Sequence, residues 1–170
     1  MGLYRLTEKE FIMSIYDIYI PPATHRQSSE YYFKWKIGNN PETEAERLEF
    51  GLSRDTPTHR WLLSGITGRT DEQNYYSFSF RIPYINEDPI DRTYTLANGL
   101  LFSHAHSIPP VDGWDGVRVI QAEWAEVHIK LDPRAGTTEG TFSARFIADG
   151  LPLEPEGSFN MIRDDVPNQL

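Results

Sequence analysis

Cysteine is absent from the 170 residues. That excludes disulfide staples, thiolate metal centres and cysteine nucleophiles. No apolar run approaches the roughly 18 residues of a membrane-spanning helix. Arg5, Glu8, Lys9 and Glu10 interrupt the start of the chain, so it lacks the apolar stretch of a secretory leader. Leu6 stands where a myristoylation motif needs Ser or Thr. A cytoplasmic protein is the expectation. Basic residues are also scarce: 16 Lys plus Arg face 25 Asp plus Glu, a formal net charge of −9, with no Lys or Arg run. Binding to phosphate polymers needs clustered cations, so nucleic acid and anionic membranes are not expected partners. Gly-x-Ser-x-Gly, the phosphate-cradling Gly-x-x-x-x-Gly-Lys and the dinucleotide fingerprint are all missing. No nucleophile or cofactor motif points to an enzyme.

What the chain has in quantity is alternation of apolar and polar residues, the mark of half-buried strands. Tyr31, Phe33, Trp35 and Ile37 alternate with Tyr32, Lys34 and Lys36. Tyr76, Phe78, Phe80 and Ile82 alternate with Tyr75, Ser77, Ser79 and Arg81. Gly140, Phe142, Ala144, Phe146 and Ala148 repeat the pattern, and Gly157, Phe159 and Met161 continue it. Residues 11–20 are β-branched and aromatic and stop at Pro21-Pro22. Such strands, separated by Gly, Pro, Asn and Asp clusters, predict an all-β, antiparallel sandwich or flattened barrel of roughly eight to ten strands with at most one short helical turn. Residues 1–163 read as one domain and 164–170 as a polar tail.

Three local expectations follow. Asn98-Gly99 predicts a two-residue hairpin turn joining 94–97 to 100–103, with Ala97 facing Leu100, Thr95 facing Phe102 and Thr93 facing His104. In 117–131 the apolar parity switches, with Ile120, Ala122 and Trp124 on one phase and Val127, Ile129 and Leu131 on the other. A bulge or sheet-crossing bend is predicted near Trp124-Ala125. Asn40-Pro41-Glu42 reads as a short helical turn or loop before a strand carrying Leu48, Phe50 and Leu52.

His104-Ala105-His106 is the strongest candidate for chemistry. Histidines two apart on a strand project to one side, which suits two ligands of one divalent metal ion, with Asp112, Asp115 or Glu123 as a third. The pair resembles the His-x-His of cupins, double-stranded β-helix proteins that bind metal inside a barrel. The resemblance covers those two residues alone. Ser107-Ile-Pro-Pro110 stands where the family places a glutamate, so its activity is not carried over. The plainer alternative is two histidines ending a core-facing strand.

Residues 107–116 read as a loop holding Trp114 between Asp112 and Asp115. Trp114 either plugs the end of the core or stands exposed to stack on a sugar or anchor a protein partner. Asp112 and Asp115 fall short of a calcium shell. Tyr31-Tyr32 and Tyr75-Tyr76 each turn one ring outward; if Tyr32 and Tyr75 lie together they form an aromatic contact surface. Glu123 and Glu126 fall on opposite parity and point apart. The expectation is a non-enzymatic binding module that takes a protein partner or carbohydrate through Trp114, Asp112, Asp115, Tyr32 and Tyr75. The alternative is a metal-binding protein or metal-dependent enzyme built on His104 and His106.

Overall fold

The computed structural model describes residues 15–18, 30–53 and 58–165. Its strands, in chain order, are β1 Ile15–Ile18, β2 Tyr32–Ile37, β3 Thr43–Glu44, β4 Arg47–Ser53, β5 Arg60–Thr67, β6 Tyr76–Pro83 and β7 Ile90–Thr95. A 3₁₀ turn, Leu96–Asn98, precedes β8 Leu101–Val111, β9 Trp114–Gln121, β10 Trp124–Asp132, β11 Thr137–Ala148, β12 Leu151–Leu153 and β13 Pro155–Ile162. The six-stranded sheet runs β1-β9-β8-β6-β5-β4, and the seven-stranded sheet runs β3-β2-β13-β11-β10-β7 with β12 beside the end of β11. Every pairing is antiparallel. The two sheets pack face to face as a sandwich and do not close into a barrel. No described helix is long and apolar enough to cross a membrane. Of the strand read over residues 11–20, Ile15–Ile18 is described; the remainder, the stop at Pro21-Pro22 and residues 166–170 lie outside the described residues.

The alternating aromatics meet between the sheets. Phe33 on β2 packs against Phe80 on β6 at 6.3 Å between ring centres. Phe80 reaches Phe159 on β13 at 5.3 Å, and Phe102 on β8 reaches Phe142 on β11 at 5.4 Å. Trp35 meets Phe78 edge-on at 5.4 Å. Tilted and edge-on pairs of this kind add about 0.5–1.5 kcal/mol each beyond their buried area. Inward-facing glycines make the room: a Cβ on Gly65 would overlap the Phe33 ring, and one on Gly157 would overlap Phe142. Phe33 thus fits over a missing side chain on the facing sheet, and Phe142 over one on the neighbouring strand of its own sheet.

Asn98-Gly99 is not a hairpin turn. β7 pairs with β10 in the seven-stranded sheet, whereas β8 pairs with β6 and β9 in the other. The segment is a crossover between sheets. The Asn98 side-chain oxygen accepts from the Thr95 N–H at 2.7 Å and its amide donates to the Thr93 carbonyl at 3.2 Å, so Asn98 closes off the end of β7. Gly99 then takes φ +102, which a side chain rarely adopts. The predicted facing of Thr93 to His104 therefore does not form.

The phase switch in 117–131 is a sheet crossing. β9 ends at Gln121 and β10 begins at Trp124 in the other sheet, so Ala122-Glu123 forms the corner. Because the crossing falls before Trp124, that side chain starts the outward parity of β10 and is 51% exposed, not part of the Ile120–Ala122 face. Asn40 ends a turn, not a helix, and Phe50 is buried on β4 between half-buried Leu48 and Leu52. The tail begins attached: Phe50 N–H donates to the Asp164 carboxylate at 3.3 Å and Leu52 N–H to Asp165 at 2.7 Å. Two carboxylates thereby occupy the open edge of β4.

The packing predicts two substitutions of opposite sign. Gly65→Ala forces Phe33, fully buried, to shift, and should lower unfolding free energy by about 2 kcal/mol. Among the described residues the buried Tyr94 hydroxyl has no hydrogen-bond partner, so Tyr94→Phe should raise stability by about 1 kcal/mol. Urea unfolding of the three proteins checks both.

Candidate functional site

His104 and His106 do share the inner face of β8. Their register places them opposite Phe78 and Tyr76 on β6 and opposite Ile120 and Arg118 on β9. His104 is 2% exposed. Its ring lies 4.4 Å from the Tyr76 ring and 5.1 Å from Phe78, with Phe146 at 6.0 Å across the sandwich. Polar groups in such a setting must be paired to avoid a desolvation cost.

The pairing has one consistent direction. His104 Nδ1 lies 3.0 Å from the Ser77 carbonyl oxygen, which only accepts, so Nδ1 carries the proton. The neutral ring then offers its lone pair at Nε2, 3.2 Å from His106 Nδ1, which must donate. The chain therefore runs from His106 through His104 to the Ser77 backbone. Burial pushes the His104 imidazole down to about 4, with the Ser77 carbonyl opposing that shift and His106 reinforcing it. Burial also pushes the neighbouring Tyr76 phenol up to about 12.

Metal binding at this pair requires the His104 lone pair now held by His106 and at least one further ligand. Among the described residues no group of three His, Cys, Asp or Glu side chains could hold a metal ion. Asp112 is exposed at a turn, Glu123 lies at the sheet corner, and Asp115 shares the outward parity of Val117 and Val119. Its parity turns Asp115 away from the inward-facing imidazoles, and Asp112 and Glu123 stand outside the paired part of β8 and β9.

Trp114 is not in a long loop. β8 and β9 extend to Val111 and Trp114, which pair with each other across Asp112-Gly113. These two central residues have φ of +51 and +80, as a type I′ turn requires. Pro109 and Pro110 fall at the register shift between Ile108 and Val111, where a bulge relaxes the need for ladder N–H groups. Among the described residues β6 pairs with β8 as far as His106, and β1 pairs with β9 over Val117–Ile120. On it, Trp114 is 68% and Val111 54% exposed.

The two outward tyrosines are not brought together. Tyr32 faces out from the seven-stranded sheet, with the Lys34 ammonium 5.0 Å above its ring. Tyr75 packs with Ala105, Val117 and Val119 on the outer face of the six-stranded sheet. Its phenol is pushed up, chiefly by burial. The sandwich lies between them. Sequence reasoning passed over Trp124 and the polar outer face of β10, β11 and β13. Its signal in the sequence is the polar phase of the strands, Glu126-His128-Lys130 and Thr141-Ser143.

Comparison with known protein families, curated proteins and solved structures returned no match.

The His104 pairing predicts an acid-sensitive fold. In the unfolded chain the imidazole titrates near 6.5, so on acidification the unfolded state takes up the proton first. This contribution to stability is intact above about 6.5 and is lost as the pH falls toward about 4. Between pH 7 and 4 the wild type should lose about 3 kcal/mol more than His104→Phe, which has no proton to take up there. Urea unfolding of both proteins across that range is the measurement; equal losses would contradict the assignment.

Proposed function

We propose that this chain is a non-enzymatic binding module and that the Val111–Trp114 tip of the β8–β9 hairpin is its contact for a protein partner. The carrying observation is the exposure of Trp114, 68%, beside the tight Asp112-Gly113 turn of a paired hairpin. Exposed tryptophans on rigid supports supply large contact area at small entropic cost, and they dominate interface energies when buried by a partner. Asp112 and Asp115 flank the indole, and the whole chain carries −9. The matching surface is an apolar pocket with a basic rim, and electrostatic attraction would speed the encounter.

The test compares wild type and Trp114→Ala as baits in host extract, followed by titration of each retained protein against both. At least one partner should bind the variant tenfold or more weakly, the loss expected of an interface anchor. Raising the salt concentration should slow its association. Identical retained sets and equal affinities would remove Trp114 from the contact.

A further inference from the structure

A different surface carries a second binding inference, independent of the hairpin. Outward residues of the seven-stranded sheet line up in rows across the strands. One row runs Lys36, Glu156, Ser143, Glu126, and the next runs Lys34, Ser158, Thr141, His128. A third runs Tyr32, Asn160, Glu139, Lys130, Asp91. A shallow groove of about 390 Å³ covers the first two rows, and a second of about 440 Å³ covers the third and continues to Asp132. The grooves abut, because His128 and Lys130 are successive outward residues of β10, as Thr141 and Glu139 are of β11. Trp124 stands on the same parity one step beyond Glu126. From Trp124 to Asp132 the track follows β10 for about 26 Å at 3.3 Å per residue.

The chemistry of the track selects its occupant. Its lysines are paired: Lys36 with Glu156 at 2.7 Å, Lys130 with Glu139 at 3.8 Å, and Lys34 with Glu44 at 3.3 Å. Glu42, Glu126, Asp91 and Asp132 also line the grooves and leave the track net acidic, so it repels a polyanion. Beneath it β10, β11 and β13 are interior to the sheet, with their ladders already paired, so an extended peptide has no edge to join along them. What the floor offers is a grid of Thr141, Ser143 and Ser158 hydroxyls, the Asn160 amide and the His128 ring, groups that donate and accept. An indole stands at one end. A neutral ligand with closely spaced hydroxyls and apolar ring faces satisfies both features.

We propose that the outer face of the seven-stranded sheet binds a neutral oligosaccharide laid along β10 and β11, with Trp124 stacked on a terminal ring.

Affinity electrophoresis through neutral glucan, xylan and mannan, with heparin and polylysine as charged controls, tests this on the full chain. At least one neutral polysaccharide should retard the protein, little affected by salt. Trp124→Ala should weaken that retardation at least tenfold and Trp124→Phe should restore most of it. Thr141→Arg, which fills the groove from an exposed position, should abolish it, while Trp114→Ala leaves it within twofold. Circular dichroism of each variant establishes that the sheet persists. Retardation by heparin or polylysine alone, by none of the neutral polymers, or equally for wild type and both groove variants would overturn the proposal.

Discussion

Between the two sheets, rings and absent side chains interlock. Phe33 lies over Gly65, Phe142 over Gly157 and Phe159 over Gly140, each ring occupying the volume a Cβ would take on the facing or neighbouring strand. Across the sandwich Phe33 meets Gly65 and Phe80, Phe80 meets Phe159, and Phe102 meets Phe142, and these fully or nearly fully buried rings leave little slack between the sheets. Close-packed interiors resist changes of even one methylene. Strand register is pinned by the same rows, since a one-residue slip would turn every ring into water.

A filled interior decides where chemistry can sit. His104 is held within it by a backbone carbonyl and a second imidazole, and its neutral state follows from the surrounding rings. So enclosed and paired, the imidazole is part of the packed interior. On the outside, the β8–β9 hairpin exposes Trp114 and Val111, and a ladder of polar residues crosses four strands of the other sheet. These surfaces differ in kind. One is an exposed apolar tip with acidic flanks, and the other is a shallow polar track.

Turn chemistry was legible, but its role was not. Asn98-Gly99 and Asp112-Gly113 are both suited to positive φ, yet only the second joins paired strands. At the first, Asn98 spends its side chain on Thr95 and Thr93 and the chain leaves for the other sheet. Pro109-Pro110 resembled a loop because prolines rarely lie inside strands; a bulge accommodates them here. The switch of apolar phase after Ile120 was visible, and so was the need for a bend. Its placement before Trp124 depended on which sheet received β10. The His104–His106 pairing was legible as a shared face, whereas the hydrogen bond between the rings depended on Ser77 arriving from β6.

Alternation of side chains is a property of consecutive residues, so the all-β class, the aromatic core rows and the inward direction of His104 were determined by the amino-acid order alone. Neighbourhood across strands is not. Tyr32 and Tyr75 carry the same outward signature in the chain, yet strand assignment places them on opposite sides of the sandwich. Trp114 and Trp124 gained their exposure, and Thr141, Ser143 and Ser158 their common groove, only when distant segments took adjacent places. The physical reason is that hydrogen-bonded ladders join residues far apart in the chain, and which strands pair is decided by the collective fit of all the rings at once.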